Sequence, residues 1–392
     1  MKDSICVVVV GYNRPDAMSR LLKSLSRAEY LGDSVDLVIS LDKGQKQKEL
    51  VNMANSFVWK AGEKKIRAFS EKQGLRNHVL QCGDLTEEYK AVIVLEDDLT
   101  VCENYYNYVR TVISSFDKDE RIAGISLYRH NYNVDAGAFF EPAYNGHDVF
   151  LMQYAQSWGQ CWTNKMWARF RKWYDENFEL FESNDNKRLL NFPYNITTWS
   201  KQSWLKYFIA YVIENDLYFV YPYYSQTTNH SEAGEHNQIP NCDYQVALPE
   251  GLFDFRLAPV EQLVKYDAFF ERIDLVIPQF KDKHVILDLY GRKRNFESCD
   301  ILITSKALNY KIIYKWKLKL RPQETNCISP EEGNGIYVYD LHTEEIHSEK
   351  TEEIIRTRYD IRAINYRKLL RLGLAELNVS FTSKFAKKIK KH

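Results

Sequence analysis

The sequence predicts an α/β fold: a mostly parallel sheet flanked by helices, followed by a small β-rich C-terminal appendage and a terminal helix. Three observations lead there. Over the first half of the chain, short β-branched runs alternate with segments carrying one apolar stripe at helical spacing. The runs are apolar throughout, as expected of strands covered on both faces. Beyond about residue 280 the pattern changes to short strands, one with period-two alternation.

The first strand is Ile5 to Val10. Gly11-Tyr12-Asn13-Arg14-Pro15 turns the chain, with Asn13 or Arg14 at the cap and Pro15 in the first helical position, where its missing N–H costs nothing. Ala17, Met18, Leu21, Leu22 and Leu25 then lie on one face of a helix. Val35 to Leu41 is a second strand, and Leu50, Met53, Ala54 and Phe57 mark a second helix. A third strand, Ala91 to Leu95, runs straight into Glu96-Asp97-Asp98. Tyr105, Val109, Val112 and Phe116 mark the next helix, and Ile122 to Leu127 the next strand.

In the middle third, Gln156 to Trp162 reads as a loop leading into a helix with Met166, Phe170 and Trp173 on one side. Trp204, Tyr207, Phe208 and Tyr211 mark another helix. Tyr218 to Tyr221 is a strand, and a polar loop with His230, Glu232, Gly234 and His236 follows it. Val285 to Tyr290, Ile301 to Thr304 and Ile336 to Tyr339 are the strands of the appendage. Between them Tyr314, Trp316, Leu318 and Leu320 alternate with Lys315, Lys317, Lys319 and Arg321, a half-buried strand with one basic face. Helix resumes from about Thr351. The chain divides into a main domain (1–280), a β-rich region (281–345) and a helical basic tail (346–392).

Composition narrows the function. The 53 Lys plus Arg are cancelled by 53 Asp plus Glu, which argues against a general nucleic-acid binder. Aromatic residues make up 14%, a level that suits either a Tyr-rich core or a concave site where sugars and bases stack. The seven cysteines are scattered without a C-x-x-C pair, so neither a zinc site nor a disulfide framework is suggested, and a reducing compartment is. The run Ile5 to Val10 is too short for a signal-peptide core, and a cytoplasmic location is expected.

Neither a G-x-x-x-x-G-K-S/T nor a G-x-G-x-x-G loop occurs, which weakens kinase, NTPase and dehydrogenase readings. Ligands of open α/β sheets bind beyond the carboxyl ends of the strands, which sets Tyr12 to Arg14, Asp42 and Glu96 to Asp98 along one rim. On an extended segment Glu96 and Asp98 share one side and Asp97 takes the other. Two carboxylates aimed at one rim suit Mn2+ or Mg2+ shared with a diphosphate, whose departure the cation would assist.

At these residues the chain resembles glycosyltransferases of the GT-A fold, a Rossmann-like nucleotide-diphospho-sugar transferase architecture. It is similar in particular to N-acetylglucosaminyltransferase I and to bacterial capsule and O-antigen transferases. Val9-Val10-Gly11-Tyr12-Asn13-Arg14-Pro15 resembles the first strand and turn, and Leu37 to Gly44 the second strand, whose terminal Asp contacts the nucleoside. Ala91 to Leu99 resembles the metal segment, Gly74-Leu75-Arg76 a donor-side loop, and Ser157-Trp158-Gly159 with Trp162 and Trp167 a sugar-site segment. The likeness covers about residues 5 to 240.

The resemblance implies Asp98 as the direct metal ligand, Glu96 facing the donor sugar, Asp97 beside them, and Asp42 orienting the nucleoside. Tyr12, Asn13, Arg14 and Arg76 are expected at the nucleotide diphosphate, Trp158 and Gly159 at the sugar, and His230 and His236 as further candidate metal ligands. Where related enzymes carry a catalytic base after a Trp, this chain reads Thr198-Trp199-Ser200-Lys201-Gln202, and Ser200 is no base at neutral pH. Asp175, Glu176, Asp185 and Glu232 are the remaining candidates.

The resulting reading is a metal-dependent glycosyltransferase, hexosyl or N-acetylhexosaminyl, using a UDP-sugar and a surface-polysaccharide or lipid-linked glycan acceptor. Rival readings are a sugar nucleotidyltransferase and a non-catalytic scaffold that binds glycan or nucleotide. In the tail, Phe381, Phe385 and Ile389 are four apart with Lys384, Lys387, Lys388, Lys390 and Lys391 around them. That spacing suits a helix lying on an anionic membrane surface, which would place the chain at the cytoplasmic face of the inner membrane; a frayed, solvated terminus is the alternative.

Overall fold

A computed structural model describes residues 2–182, 186–232, 242–297, 299–361 and 365–389. The chain opens with β1 (Lys2–Gly11), α1 (Pro15–Leu25), β2 (Asp36–Leu41), α2 (Gln47–Ser56), β3 (Lys64–Ala68) and α3 (Leu75–Gly83). Then come β4 (Tyr89–Glu96), β5 (Leu99–Val101), α4 (Tyr105–Phe116) and β6 (Ile122–Ser126). The middle third holds β7 (Tyr132–Asn133), β8 (Ala138–Phe139), β9 (Val149–Met152), β10 (Gln160–Thr163), α5 (Asn164–Asn177), α6 (Asn186–Leu189), α7 (Tyr194–Thr198) and α8 (Leu205–Glu214). After them come β11 (Tyr218–Pro222), β12 (Thr227–Asn229) and β13 (Lys265–Tyr266). The C-terminal part has β14 (Val285–Asp288), β15 (Ile301–Thr304), β16 (Tyr310–Lys317), α9 (Thr325–Ile328), β17 (Gly335–Glu344), α10 (Glu353–Asp360) and α11 (Tyr366–Ile389).

The expected α/β architecture is the one observed. Nine strands form one sheet in the order β13-β9-β11-β6-β10-β4-β1-β2-β3. β1 pairs in parallel with β2 and β4, β2 with β3, and β6 with β11. Helices cover the sheet. Ala17, Met18, Leu21, Leu22 and Leu25 of α1 are buried as their spacing predicts, each large side chain contributing about 1.5–3 kcal/mol relative to exposure. Because the chain runs β1, β2, β3 in one direction and then returns to lay β4 on the other side of β1, strand order reverses between β1 and β4. That reversal opens a crevice at the carboxyl ends of the two strands, where Tyr12 to Arg14 and Glu96 to Asp98 meet.

Three expectations are corrected. The segment expected to be a loop ends in β10, which lies in the middle of the sheet, antiparallel to both β4 and β6. β3 and β9 also belong to the sheet, although neither segment stands out in the sequence pattern. The alternating basic strand runs from Tyr310 to Lys317, earlier than expected, with a register shift between Ile312 and Tyr314. From Trp316 onward the alternation is as expected, with Trp316 and Leu318 buried and Lys317 and Lys319 paired with Glu331, whereas Tyr314 is exposed beside Trp316 on the same side.

The C-terminal sheet, β14-β15-β17-β16, has apolar clusters of its own. It meets the main sheet through a buried polar network. Lys293 Nζ donates to Asp267 Oδ2 at 2.5 Å, Arg292 Nε to Asp135 Oδ2 at 2.8 Å, and Tyr266 Oη to Glu324 Oε1 at 2.7 Å. Leu370, Leu372, Leu374 and Leu377 of α11 are exposed. The side chains of Phe381, Lys384, Phe385, Lys387, Lys388 and Ile389, and residues Lys390 and Lys391, lie outside the described part. No helix among the described residues is long and apolar enough to cross a membrane.

Candidate functional site

The crevice between β1 and β4 widens into a cavity of about 910 Å3, near the upper end of the usual range for ligand sites. One end is built by Asp42, which follows β2 and is 3% exposed. Its Oδ1 accepts the Lys43 and Gln73 N–H groups at 2.7 and 2.8 Å, and Oδ2 accepts the Gly74 N–H at 3.0 Å. The carboxylate thus holds the turn that opens α3, where Gly74 has a φ of 75° that a side chain would strain. Asp42 lines the cavity, but much of its acceptor capacity is spent on this turn.

The adjoining rim is the turn after β1, whose Gly11 carbonyl accepts the Asp42 N–H at 3.1 Å. Asn13 adopts a φ of 58°, a left-handed conformation Asn tolerates, and its Oδ1 accepts the Lys46 N–H at 3.0 Å. The Lys72 ammonium sits 5.1 Å from the Tyr12 ring centre. Tyr12, Asn13 and Arg14 all line the cavity. Arg14 reaches the acidic turn, where Nη1 donates to Asp98 Oδ2 at 2.9 Å and Nη2 donates to Asp97 Oδ1. Asp97 Oδ2 accepts the Tyr12 N–H at 3.2 Å. Burial opposes the charge on Arg14, but Asp97 and Asp98 hold its pKa above the ordinary value.

Asp97 and Asp98 therefore share one cation instead of facing opposite ways. β4 ends at Glu96 and residues 97–98 form a turn, so the alternation of an extended strand stops there. Glu96 is half-buried, and burial with the neighbouring Asp98 charge pushes its carboxyl up to about 8. Asp98 Oδ1 is buried and has no hydrogen-bond partner. A carboxylate oxygen in that state suits a hard divalent cation, with the other ligands coming from a diphosphate and water. Among the described residues no three His, Cys, Asp or Glu side chains converge into a metal site, so Asp98 would be the protein's chief donor.

Of the two candidate histidines, His230 is engaged elsewhere. His230 bonds Thr100 Oγ1 through Nε2 at 2.8 Å, and only its backbone N–H approaches the turn, donating to the Asp98 carbonyl at 3.0 Å. His230 directly follows β12, which pairs with β5, and this places its ring beside Thr100. His236 lies outside the described residues.

The far wall is aromatic. Trp158 lines the cavity, with Tyr128 edge-on at 4.8 Å and Tyr244 covering it at 4.5 Å. Gly159 does not line it. Its φ of 95° and close approach to Thr227 seat the start of β10, and that role explains the glycine. Trp162 and Trp167, expected in the sugar-site segment, and Trp204 are instead buried to 2% exposure or less, Trp162 on β10 and Trp167 on α5. Arg76 also misses the cavity: its guanidinium packs over Tyr207 and donates to that hydroxyl at 3.3 Å.

Of the candidate bases, Asp175 and Glu176 are exposed on α5, away from the cavity, and Asp185 lies outside the described residues. Glu232 lines the cavity, where Arg20 Nη1 donates to it at 2.8 Å and holds its pKa below the usual value. Trp199, Ser200, Ser203 and Trp204 form the wall where a base was expected, and none carries a carboxylate.

Sequence reasoning missed His78, His130, Tyr154, Gln156, Asn195 and Tyr244, which also line the cavity. His130 is enclosed by Tyr128, Tyr154, Trp158, Tyr221 and Phe270, and burial pushes it down to about 3. His78 bonds Ser40 Oγ at 2.7 Å and is pushed down to about 4 by burial. Both imidazoles are neutral at physiological pH. Tyr154 and Gln156 adjoin the Ser157-Trp158-Gly159 segment, but His78, His130, Asn195 and Tyr244 come from separate segments with no shared motif, and only the fold brings them together.

No protein-family model matches the chain, and no curated protein matches its sequence. Among solved structures the chain is similar to S. aureus TarS 1-349 in complex with UDP-GlcNAc, at 12% identity and a TM-score of 0.25, over 39% of this chain and 34% of that one. It is similar to S. aureus TarS 1-349 at 13% identity and a TM-score of 0.34, over 56% and 60% of the two chains. The mannosyltransferase PcManGT from Pyrobaculum calidifontis, in complex with GDP-Man and Mn2+, is 11% identical with a TM-score of 0.31, over 42% and 46%. The chain thus spans less than two thirds of the length of each of these structures. TM-scores of this size bring no argument to the site, which stands on its own geometry.

Proposed function

We propose that the cavity binds a nucleotide sugar, a UDP-sugar in the first instance, and that the chain is a metal-dependent glycosyltransferase of GT-A type acting on a glycan acceptor. The observation that carries this reading is the buried, unpartnered Asp98 Oδ1 beside a cavity lined by charged groups of both signs, among them Arg14 and Lys72, and by aromatic side chains around Trp158. In this reading Asp42 and the turn it holds face the nucleoside, Tyr12 to Arg14 face the diphosphate, and Trp158 with Glu96 faces the sugar. A Mn2+ or Mg2+ ion held by Asp98 would neutralise charge on the departing diphosphate. Attack by an acceptor hydroxyl on the anomeric carbon breaks the bond to phosphate. Of the two cavity carboxylates outside the acidic turn, Asp42 is committed to three backbone N–H groups, which leaves Glu232, paired with Arg20, as the candidate to take the proton.

The wall from Trp199 to Trp204, which lacks a carboxylate, favours a second reading, a non-catalytic scaffold that binds the same ligands. One assay separates the two: free nucleotide measured after incubation with UDP- or GDP-sugars, Mn2+ and oligosaccharide acceptors. Acceptor-stimulated UDP release is the expected result. Binding of nucleotide sugar without release under any acceptor would leave the scaffold, and no binding at all would end both readings.

A further inference from the structure

The acidic turn already holds a cation of the protein's own. Asp97 has both carboxylate oxygens engaged, one by Arg14 and one by the Tyr12 N–H. Asp98 shares Oδ2 with Arg14 and keeps Oδ1 buried and unpartnered. The three side chains are largely shielded, at 25%, 3% and 12% exposure for Arg14, Asp97 and Asp98. The backbone of Arg14 is restrained, because it immediately precedes Pro15 at the start of α1, so the guanidinium works from a fixed base. A divalent ion bound to Asp98 Oδ1 would share one carboxylate with the guanidinium, and two cations that close in a shielded site repel strongly. A diphosphate removes the conflict, since its oxygens ligate the ion and accept from the guanidinium together.

We propose that Arg14 is a resident counter-cation that keeps a divalent ion off Asp98 until a nucleoside diphosphate arrives, then keeps Asp97 with one arm and turns the other onto the diphosphate. Metal and nucleotide then bind as a pair, and each strengthens the other by the same factor. This inference rests on the nucleotide-sugar reading of the cavity and adds the order in which its charges are exchanged.

The test is a Mn2+ titration of the full chain, followed by the spin-resonance signal of free Mn2+, with and without UDP. Wild type is expected to bind Mn2+ at least tenfold more weakly alone than with UDP. Arg14→Gln is expected to bind Mn2+ alone at least tenfold more tightly than wild type, with the UDP enhancement reduced by a similar factor. Arg14→Lys, which keeps one positive charge but cannot bridge both carboxylates, should fall between them and carries the test if Arg14→Gln does not fold. If Arg14 only shaped the turn, removing it would weaken Mn2+ binding. A folded variant that binds Mn2+ no better than wild type overturns the proposal. If wild type takes up no UDP, the nucleotide reading fails, and the comparison with Mn2+ alone still decides the role of Arg14.

Discussion

Asp98→Asn is expected to lower UDP-sugar turnover by at least about a hundredfold, roughly 2.7 kcal/mol of transition-state stabilisation, and to remove the Mn2+ dependence of UDP binding. Asp98 Oδ1 is the buried carboxylate oxygen in the turn that no protein group satisfies. Asn keeps the shape and leaves one oxygen for Arg14, so Arg14 and the turn after β1 should remain in place. What it removes is the negative charge and one of two hard donors, because an amide NH2 presents hydrogens where a cation needs lone pairs. Calorimetric titration of UDP with and without Mn2+, beside steady-state turnover, reads both effects. A variant that keeps Mn2+-enhanced UDP binding would move the metal away from Asp98.

Lys293→Met is expected to destabilise the protein by about 3–5 kcal/mol without touching the cavity. Lys293 is the cation in a buried acidic group at the junction of the two sheets. Its ammonium bonds Asp267 at 2.5 Å, and burial opposes its charge while Asp267, Glu271 and Asp288 hold its pKa above the ordinary value. Methionine fills similar space but leaves those carboxyls without their cation, and a broken buried pair costs far more than an exposed one. The melting temperature should fall by roughly 5–10 °C, with UDP affinity unchanged below the transition. Lys319→Met, which breaks an exposed pair with Glu331, should leave the melting temperature where it is. Equal behaviour of the two variants would show that the junction does not depend on its buried cation.

Most of the sheet was legible because its strands are long and apolar. Val7 to Val9 have no exposure, and their β-branched run admits few other structures. β10 escaped because its four residues, Gln160 to Thr163, have no visible period and are placed only by pairing with the distant β4 and β6. The alternation of the basic strand was legible from Trp316 to Lys319, but its start at Tyr310 was not, because a register shift between Ile312 and Tyr314 interrupts the pattern upstream.

The site divides in the same way. Tyr12, Asn13, Arg14, Asp42 and Glu96 to Asp98 could be found because each stands at the end of a recognisable strand, and the reversal of strand order brings those ends together. Their chemistry was harder to read. That Asp42 holds a turn, and that Arg14 grips Asp97 and Asp98, depends on contacts across 31 to 84 residues of chain. Arg76 faces Tyr207, 131 residues away, and His130 joins an aromatic group drawn from five separate positions, neither of which a local pattern records.

The central claim is that a nucleoside diphosphate and a divalent ion meet at Asp98. Anomalous scattering from a crystal grown with UDP and Mn2+ tests it most directly. The expected result is one manganese peak about 2.1 Å from an Asp98 carboxylate oxygen, with both phosphates against it and the uridine at the Asp42 end of the cavity. A manganese peak elsewhere on the chain, or UDP bound outside this cavity, would contradict the account.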